Sequence, residues 1–121
     1  MKNIFLLVAV LLLSTSVFAQ DKNAKVSFEV DGVCMMCKKR IEKAALKTKG
    51  VKFAKWDVTT HQLSLIIDER KTNIEAIKKT IASIGHDTKD FKAPKEAYDH
   101  LHECCKYRDE EVQENHKKVK K

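Results

Sequence analysis

Two cysteines separated by two methionines are the residues of this chain best suited to chemistry. Cys34 and Cys37 lie between a predicted strand and a predicted helix. Two thiolates at this spacing can close on one soft metal ion. Thiol pairs at the same spacing also carry out disulfide exchange, so the surrounding residues must decide between the two chemistries.

A second group of potential ligands lies near the C-terminus. His100, His102, Cys104 and Cys105 place two imidazoles and two thiols within six residues. One prediction is that this segment folds back, so that its thiols add a third or fourth ligand to the first pair or form a disulfide with it. The alternatives are an independent metal site, or one thiol packed in the core with the histidines in solvent.

The N-terminal residues predict an export signal. Lys2 precedes an uninterrupted apolar run over residues 4–13, which is too short to cross a bilayer, and Ala19 ends a small-residue cleavage site. We expect residues 1–19 to be a signal peptide, Gln20 to begin the mature chain, and the protein to be periplasmic. An uncleaved membrane anchor is the alternative.

The exported part is short and basic. It has 102 residues, since 19 of 121 are removed, and a net charge of +6, since Lys2 accounts for one of the +7. This length allows one domain with its own core. The basic runs lack interleaved aromatic residues, so we expect an acidic protein partner and no nucleic acid. No phosphate-binding glycine loop and no arranged Ser-His-Asp site is visible, so we expect a non-enzymatic protein. We also expect a monomer that is not embedded in the membrane after signal cleavage.

The cysteine spacing indicates two reactive thiol pairs more than structural disulfides. An even number of cysteines outside the cytoplasm suggests disulfides. Here 66 residues separate Cys37 from Cys104, and each pair is tight. A disulfide within the first pair is the alternative to a bound metal.

Hydrophobic patterns predict a strand, a helix, two strands, a second helix and a last strand. Alternation over residues 25–30 indicates the first strand, residues 37–48 the first helix, and residues 51–58 with 63–67 a hairpin. Four isoleucines at helical spacing follow a Thr72–Glu75 capping box and predict the second helix: Ile74, Ile77, Ile81 and Ile84. Residues 87–91 predict a weak edge strand.

This order predicts an α+β fold. It is a ferredoxin-like βαββαβ sandwich over residues 24–92, with a four-stranded antiparallel sheet and both helices on one face. Residues 93–108 form a C-terminal helical extension that Pro94 can open. The charged tail over residues 109–121 is expected to be disordered or a frayed helix.

A CxxC in the first loop of a βαββαβ domain resembles the heavy-metal-associated domain family, which includes small copper chaperones and exported mercury-binding proteins. The resemblance covers about residues 25–91, and residues 97–108 look like an extension found in some exported members. It rests on these residues: Cys34, Cys37, Ile41, Gly50, Val51, Ile84, Gly85 and His86. It implies a carrier that passes a soft metal between thiol pairs, with a membrane metal transporter or efflux component as partner.

The chain departs from the family pattern at two places. The family usually has Gly-Met-x before the first cysteine, whereas Asp31, Gly32 and Val33 stand here, so the buried methionine is absent. His86 follows the glycine where members often carry an aromatic residue or lysine. We expect His86, Met35 and Met36 to lie around the metal loop without being primary ligands.

The N-terminus of the first helix should favour the thiolate form of the first thiol pair. Cys37 is expected in the first turn, where the dipole and unpaired N–H groups favour thiolate. Three basic residues follow and are expected to stabilise the charge of a bis-thiolate complex and to dock an acidic partner: Lys38, Lys39 and Arg40. Copper(I) and mercury(II) accept two thiolates whereas structural zinc takes four ligands, so the pattern favours copper(I), then mercury(II), with zinc(II) third.

The residues thus predict a periplasmic soft-metal binding protein, with a thiol–disulfide redox protein as the alternative. A thioredoxin-like site would have an aromatic residue before the first cysteine and a cis-proline facing it. Val33 precedes Cys34, and Pro94 is the single proline.

Overall fold

A computed structural model of the chain describes residues 3, 4 and 20–119. The predicted signal peptide lies almost entirely outside these residues. Within the described part, no helix is both long and apolar enough to cross a membrane. The helices and strands are β1 (Ala24–Glu29), α1 (Met35–Lys47), β2 (Val51–Trp56), β3 (Gln62–Ile67), α2 (Ile74–Ser83), α3 (Lys95–Asp99), a 3₁₀ turn (Glu103–Cys105) and α4 (Glu110–Val119).

The sheet is antiparallel, with the order β1-β3-β2, and it packs against the two long helices of the domain. Central strand β3 pairs with β1 through Leu65 opposite Val26, and with β2 through Leu65 opposite Ala54. The side chains that fill the core alternate along β3 and follow helical spacing on α1 and α2: Leu63, Leu65, Ile67, Ile41, Ala45, Ile77 and Ile81. The predicted α+β class is confirmed.

The predicted fourth strand over residues 87–91 is wrong, because the structure has only an isolated antiparallel bridge between Val30 and Thr88. The chain turns directly after this bridge. The Thr88 N–H donates to the Phe91 carbonyl at 2.8 Å, and the Asp87 carboxylate accepts from the Ala93 N–H at 2.6 Å. These local bonds replace the ladder that a longer strand would need.

The N-cap of helix α2 lies one residue later than predicted. The Asn73 side chain accepts from the Ala76 N–H at 2.9 Å, so Asn73 and not Thr72 caps the helix. Thr72 is instead buried, and its N–H donates to the Asp68 carbonyl. Gly85 ends the helix with φ +106°, as predicted, and a Cβ there would lie 2.7 Å from the Ala97 carbonyl oxygen.

The indole of Trp56 supports the loop that carries the first cysteines. Its Nε1 donates to the Val30 carbonyl at 3.0 Å, and the side chain is fully buried. A Cβ on Gly32 would lie 3.0 Å from the indole ring and 3.1 Å from the Cys37 Cβ. The ring therefore fills the space beside position 32, so a side chain larger than that of glycine would require the indole or Cys37 to shift. Phe53, on the same strand, is 46% exposed.

The C-terminal tail is helical over Glu110–Val119, where its charged composition left disorder and a frayed helix as alternatives. The Asp109 carboxylate accepts from the Glu111 N–H at 3.0 Å, and acidic residues in the first turn complement the helix dipole. Gln113 donates from its side chain to the Tyr107 carbonyl at 2.5 Å. Local capping and this tertiary contact thus stabilise a segment with little apolar surface.

We predict that Trp56→Phe lowers the free energy of unfolding by about 1–3 kcal/mol, because it leaves the buried Val30 carbonyl without its donor. Urea unfolding followed by circular dichroism measures the change. Phe53→Leu is the matched control on the exposed face of β2 and should shift stability by no more than about 0.5 kcal/mol. Equal effects of the two substitutions would contradict the role assigned to the indole.

Candidate metal centre

The first cysteine pair lies at the N-terminus of α1. Cys34 is the cap residue, with extended backbone at φ −141°, and Cys37 lies in the first turn. The two sulfur atoms are 3.4 Å apart. Cys34 is half-buried and Cys37 is fully buried, so the pair presents one accessible sulfur to solvent.

Cys34 is the more acidic thiol of this pair. Burial acts to raise its pKa, but hydrogen bonds from the Cys37 N–H, the Cys105 and Cys37 thiols and the Met36 N–H outweigh burial and lower that pKa. Burial raises the pKa of Cys37, against our expectation that this residue would be the thiolate. The helix terminus thus favours the thiolate at its rim, where the sulfur keeps some contact with water.

The extension folds back onto the metal loop and brings its two thiols to the first pair. The Cys34 Sγ lies 3.4 Å from that of Cys105 and 4.0 Å from that of Cys104. Cys105 is fully buried, and burial raises its pKa; burial, followed by the charge of Cys34, raises the pKa of half-buried Cys104. One segment therefore supplies a deep thiol and a rim thiol.

The two histidines of the extension are exposed and lie outside this thiol group. Helix α3 ends at Asp99, and the 3₁₀ turn begins at Glu103. His100 and His102 lie in the connection, where the change of helix type separates them from the cysteines. The four-ligand site suggested by their proximity in sequence is not assembled among the described residues.

Two of the three predicted docking cations are used within the domain. Lys38 donates to Glu42 and, at 3.1 Å, to the Trp56 carbonyl. Arg40 donates to the Ile84 carbonyl at 2.9 Å. Lys39 is exposed. None of the three is among the principal influences on the pKa of Cys34 or Cys37, which come from burial, backbone N–H groups and thiols.

Met36 and His86 contact the residues around the metal loop, whereas Met35 is exposed. Met36 places its sulfur 3.4 Å from the Cys104 Sγ, whereas Met35 is 57% exposed. His86 is fully buried, and its Nδ1 lies 2.8 Å from the Asp31 carbonyl oxygen. Burial lowers the pKa of His86 to about 4, so the imidazole that contacts the metal loop at Asp31 is neutral.

A buried carboxylate fastens the extension to the domain. Asp87 accepts from the Arg108 guanidinium at 2.8 and 3.1 Å, and its backbone N–H donates to the Tyr107 hydroxyl at 2.9 Å. The same hydroxyl donates to the Gly85 carbonyl at 2.8 Å. Sequence reasoning missed this anchor; the signal available was the Tyr107-Arg108 pair, one residue beyond the second cysteine cluster.

Comparison with known proteins identifies the domain that carries the metal loop. The sequence profile of the heavy-metal-associated domain matches residues 27–87. The chain belongs to this family. The match ends before the extension, so the second thiol pair lies outside the family domain.

Two curated relatives of this heavy-metal-associated protein are copper-exporting P-type ATPases from two strains of Staphylococcus epidermidis. Each is 38% identical over 64 residues, which are 52% of this chain and 8% of the ATPase. The chain thus spans less than a tenth of the length of these relatives. The likeness concerns one domain of a much larger protein.

Solved structures of family members share the ferredoxin-like fold. A CopZ metallochaperone is 27% identical with a TM-score of 0.52, and the match covers 54% of this chain and 98% of that protein. A copper binding domain from HMA7, a P-type ATPase, is 25% identical with a TM-score of 0.51, covering 52% and 86%. The metallochaperone is matched over nearly its whole length, so the fold of that small protein corresponds to one domain of this chain.

We predict that Asp87→Asn loosens the extension and flattens the acid dependence of stability. Burial acts to raise the pKa of Asp87, but bonds from Arg108 and the Ala93 N–H hold it below the ordinary value. The ionised carboxylate therefore stabilises the fold above about pH 4, and this contribution disappears as the pH falls through the folded-state pKa. Unfolding free energies measured from pH 6 to pH 2.5 should fall less steeply in the variant.

Glu114→Gln, an exposed change on α4, is the control for the loss of one acidic group. Hydrogen exchange should be faster in residues 97–108 of Asp87→Asn than in those of the control. An identical pH slope and identical exchange in wild type and Asp87→Asn would show that the carboxylate does not anchor the extension.

Proposed function

We propose that this protein is a non-enzymatic copper(I) carrier that binds the ion through Cys34 and Cys37 and passes it to or from a membrane transporter. The observation that carries the proposal is the cysteine pair at the start of α1, with sulfur atoms 3.4 Å apart and one of them accessible. A pair of this kind in a heavy-metal-associated domain suits reversible binding, since an incoming thiol reaches the ion from the exposed side.

The chemistry of the donors supports copper(I) as the cargo. The group consists of thiols with a thioether beside it, and no imidazole or carboxylate joins it among the described residues. A small number of soft ligands favours copper(I), because this ion accepts a low coordination number. Mercury(II) comes next and zinc(II) comes behind both. The relatives named for copper point the same way.

The thiol–disulfide alternative gains no support from the comparisons. The matched family is named for heavy metals, and the relatives described above are named for copper. Copper binding is therefore the function that we test first.

A partner with an acidic face fits the charge of the chain. The net charge is +7 for the full sequence, and Lys39 is exposed near the metal loop on α1. Long-range attraction of this kind raises the rate at which two charged proteins meet. We propose a membrane transporter or efflux component as this partner, and a monomeric carrier.

We predict that Cys34→Ser combined with Cys37→Ser abolishes tight copper(I) binding, because it removes the primary ligands. Anaerobic titration of the reduced mature protein against a chromophoric chelator measures the affinity. Met35→Leu is a suitable control, since this exposed side chain borders the same loop without contributing a thiol. Full affinity in the double variant would sink the proposed function.

We also predict periplasmic export with cleavage after Ala19, which the apolar run over residues 4–13 supports. Mass spectrometry of protein recovered from the periplasm should give a mature chain that begins at Gln20. Deletion of residues 4–13 should keep the protein in the cytoplasm. A full-length chain that stays with the membrane fraction would favour the anchor instead.

A further inference from the structure

Three sulfur atoms, one from the metal loop and two from the extension, form a compact triangle. The Cys34 Sγ lies 3.4 Å from the Cys105 Sγ and 4.0 Å from the Cys104 Sγ, and the two extension sulfurs are 4.0 Å apart. Among the described residues, these three form the group whose ligand atoms all lie within 4.8 Å of one another. Cys37 neighbours Cys34 but is not a member of this group.

The triangle has the dimensions of a three-coordinate metal site. A point equidistant from sulfurs at these separations lies about 2.2 Å from each, close to the ~2.3 Å of a zinc–thiolate bond. Three thiolates are one more than the first cysteine pair offers and one fewer than a structural zinc site uses. A soft ion of low coordination number therefore fits this space better than zinc does.

The surroundings of the triangle shield one side and leave the other open. Cys105 is fully buried, whereas Cys34 and Cys104 are half-buried. The Met36 sulfur, 3.4 Å from the Cys104 Sγ, borders the open side. The ion would thus lie at the surface with thioether and thiolate sulfur around it and hard oxygen ligands absent from the group.

The corners are held together by contacts that do not involve sulfur. Leu101 and Tyr107 are buried in the core on either side of the cysteine pair, and Arg108 bonds to Asp87. The ring of His116 lies 3.1 Å from the Cys104 carbonyl oxygen. Because the fold already positions the thiols, binding does not have to order the extension, which favours affinity.

We propose that Cys34, Cys104 and Cys105 form a three-thiolate copper(I) site that shares Cys34 with the Cys34–Cys37 pair. This inference rests on the proposed function, from which it takes copper(I) as the cargo. An ion bound by the first pair reaches the triangle when the two extension thiolates replace the Cys37 thiolate. The copper stays copper(I), each extension thiol gives up one proton to solvent, and Cys37 takes one back.

The site changes what the protein does with its cargo. The third thiolate adds a bond that a partner's thiols must also replace, and two of the three ligands belong to the extension. Transfer to a partner then requires the partner to displace the extension. The chain acts as a store for copper(I) that releases its ion to a competing thiol pair.

The variant that tests this is Cys37→Ser, which removes the first pair and leaves the triangle intact. Its matched control is Cys37→Ser with Cys104→Ser, which leaves two thiols. Reduced mature proteins are titrated with copper(I) under anaerobic conditions, and X-ray absorption counts the Cu–S bonds. We expect Cys37→Ser to bind one ion within about tenfold of wild type through three sulfurs, and the control to lose at least about 100-fold. Circular dichroism of the metal-free proteins confirms folding, and Cys37→Ala replaces Cys37→Ser if that variant does not fold.

The outcomes separate this inference from the proposed function. If Cys37→Ser loses as much affinity as Cys34→Ser with Cys37→Ser, the triangle is not a site. The carrier function then stands if Cys104→Ser with Cys105→Ser still binds one ion through two sulfurs. If instead that variant binds no copper while Cys37→Ser does, the triangle stands and the role given to the first pair falls.

Discussion

The buried carboxylate of Asp87 holds the family domain and its extension in one unit. Its side chain is 4% exposed, and it bonds at once to the Ala93 backbone and to the Arg108 guanidinium. A charge in this position is stable only while such partners remain, since an unpaired buried carboxylate is costly. The placement of Cys104 and Cys105 against the metal loop depends on this link, because both precede Arg108 by only a few residues.

The metal loop depends in turn on what lies beneath it. Trp56 donates to the Val30 carbonyl, and its ring fills the space that a side chain at position 32 would need. His86 contacts the Asp31 carbonyl from the other side and stacks on Tyr107, with ring centres 5.5 Å apart. Trp56 therefore supports the loop, and His86 links the loop to Tyr107 of the extension.

Periodic sequence patterns made much of the fold predictable. Single hydrogen bonds outside these patterns could not be predicted. The alternation along β3 and the isoleucine spacing on α2 predict their own elements, because each pattern repeats within a few residues. The fourth strand failed because Thr88 and Asp87 bond locally to residues 91 and 93, and no periodic signal reports such bonds. Composition also left disorder and a frayed helix open for the tail, since a single cap at Asp109 and one contact from Gln113 stabilise its helix.

The candidate site also contains residues that local spacing identifies and features that required the structure. Cys34 and Cys37 were identifiable because the chemistry of a soft-metal pair needs only local spacing. The approach of Cys105 to Cys34 crosses 71 positions of sequence, and folding back was one of several alternatives that the residues allowed. The lower pKa of Cys34 compared with Cys37 also required the structure. At each thiol burial raises the pKa and backbone hydrogen bonds lower it, and the structure shows which effect prevails.

Cys34 is the residue on which both thiol groups converge. It caps α1, it keeps one side open to solvent, and its sulfur is within 4.0 Å of each of the other three cysteine sulfurs. A ligand common to two sites allows an ion to pass between them while it remains bound to at least one thiolate. If both proposed sites bind the ion, the first step of thiol exchange takes place within one molecule. On the proposed function, a partner would compete with Cys104 and Cys105, and a weaker Asp87–Arg108 link would ease the release of copper(I).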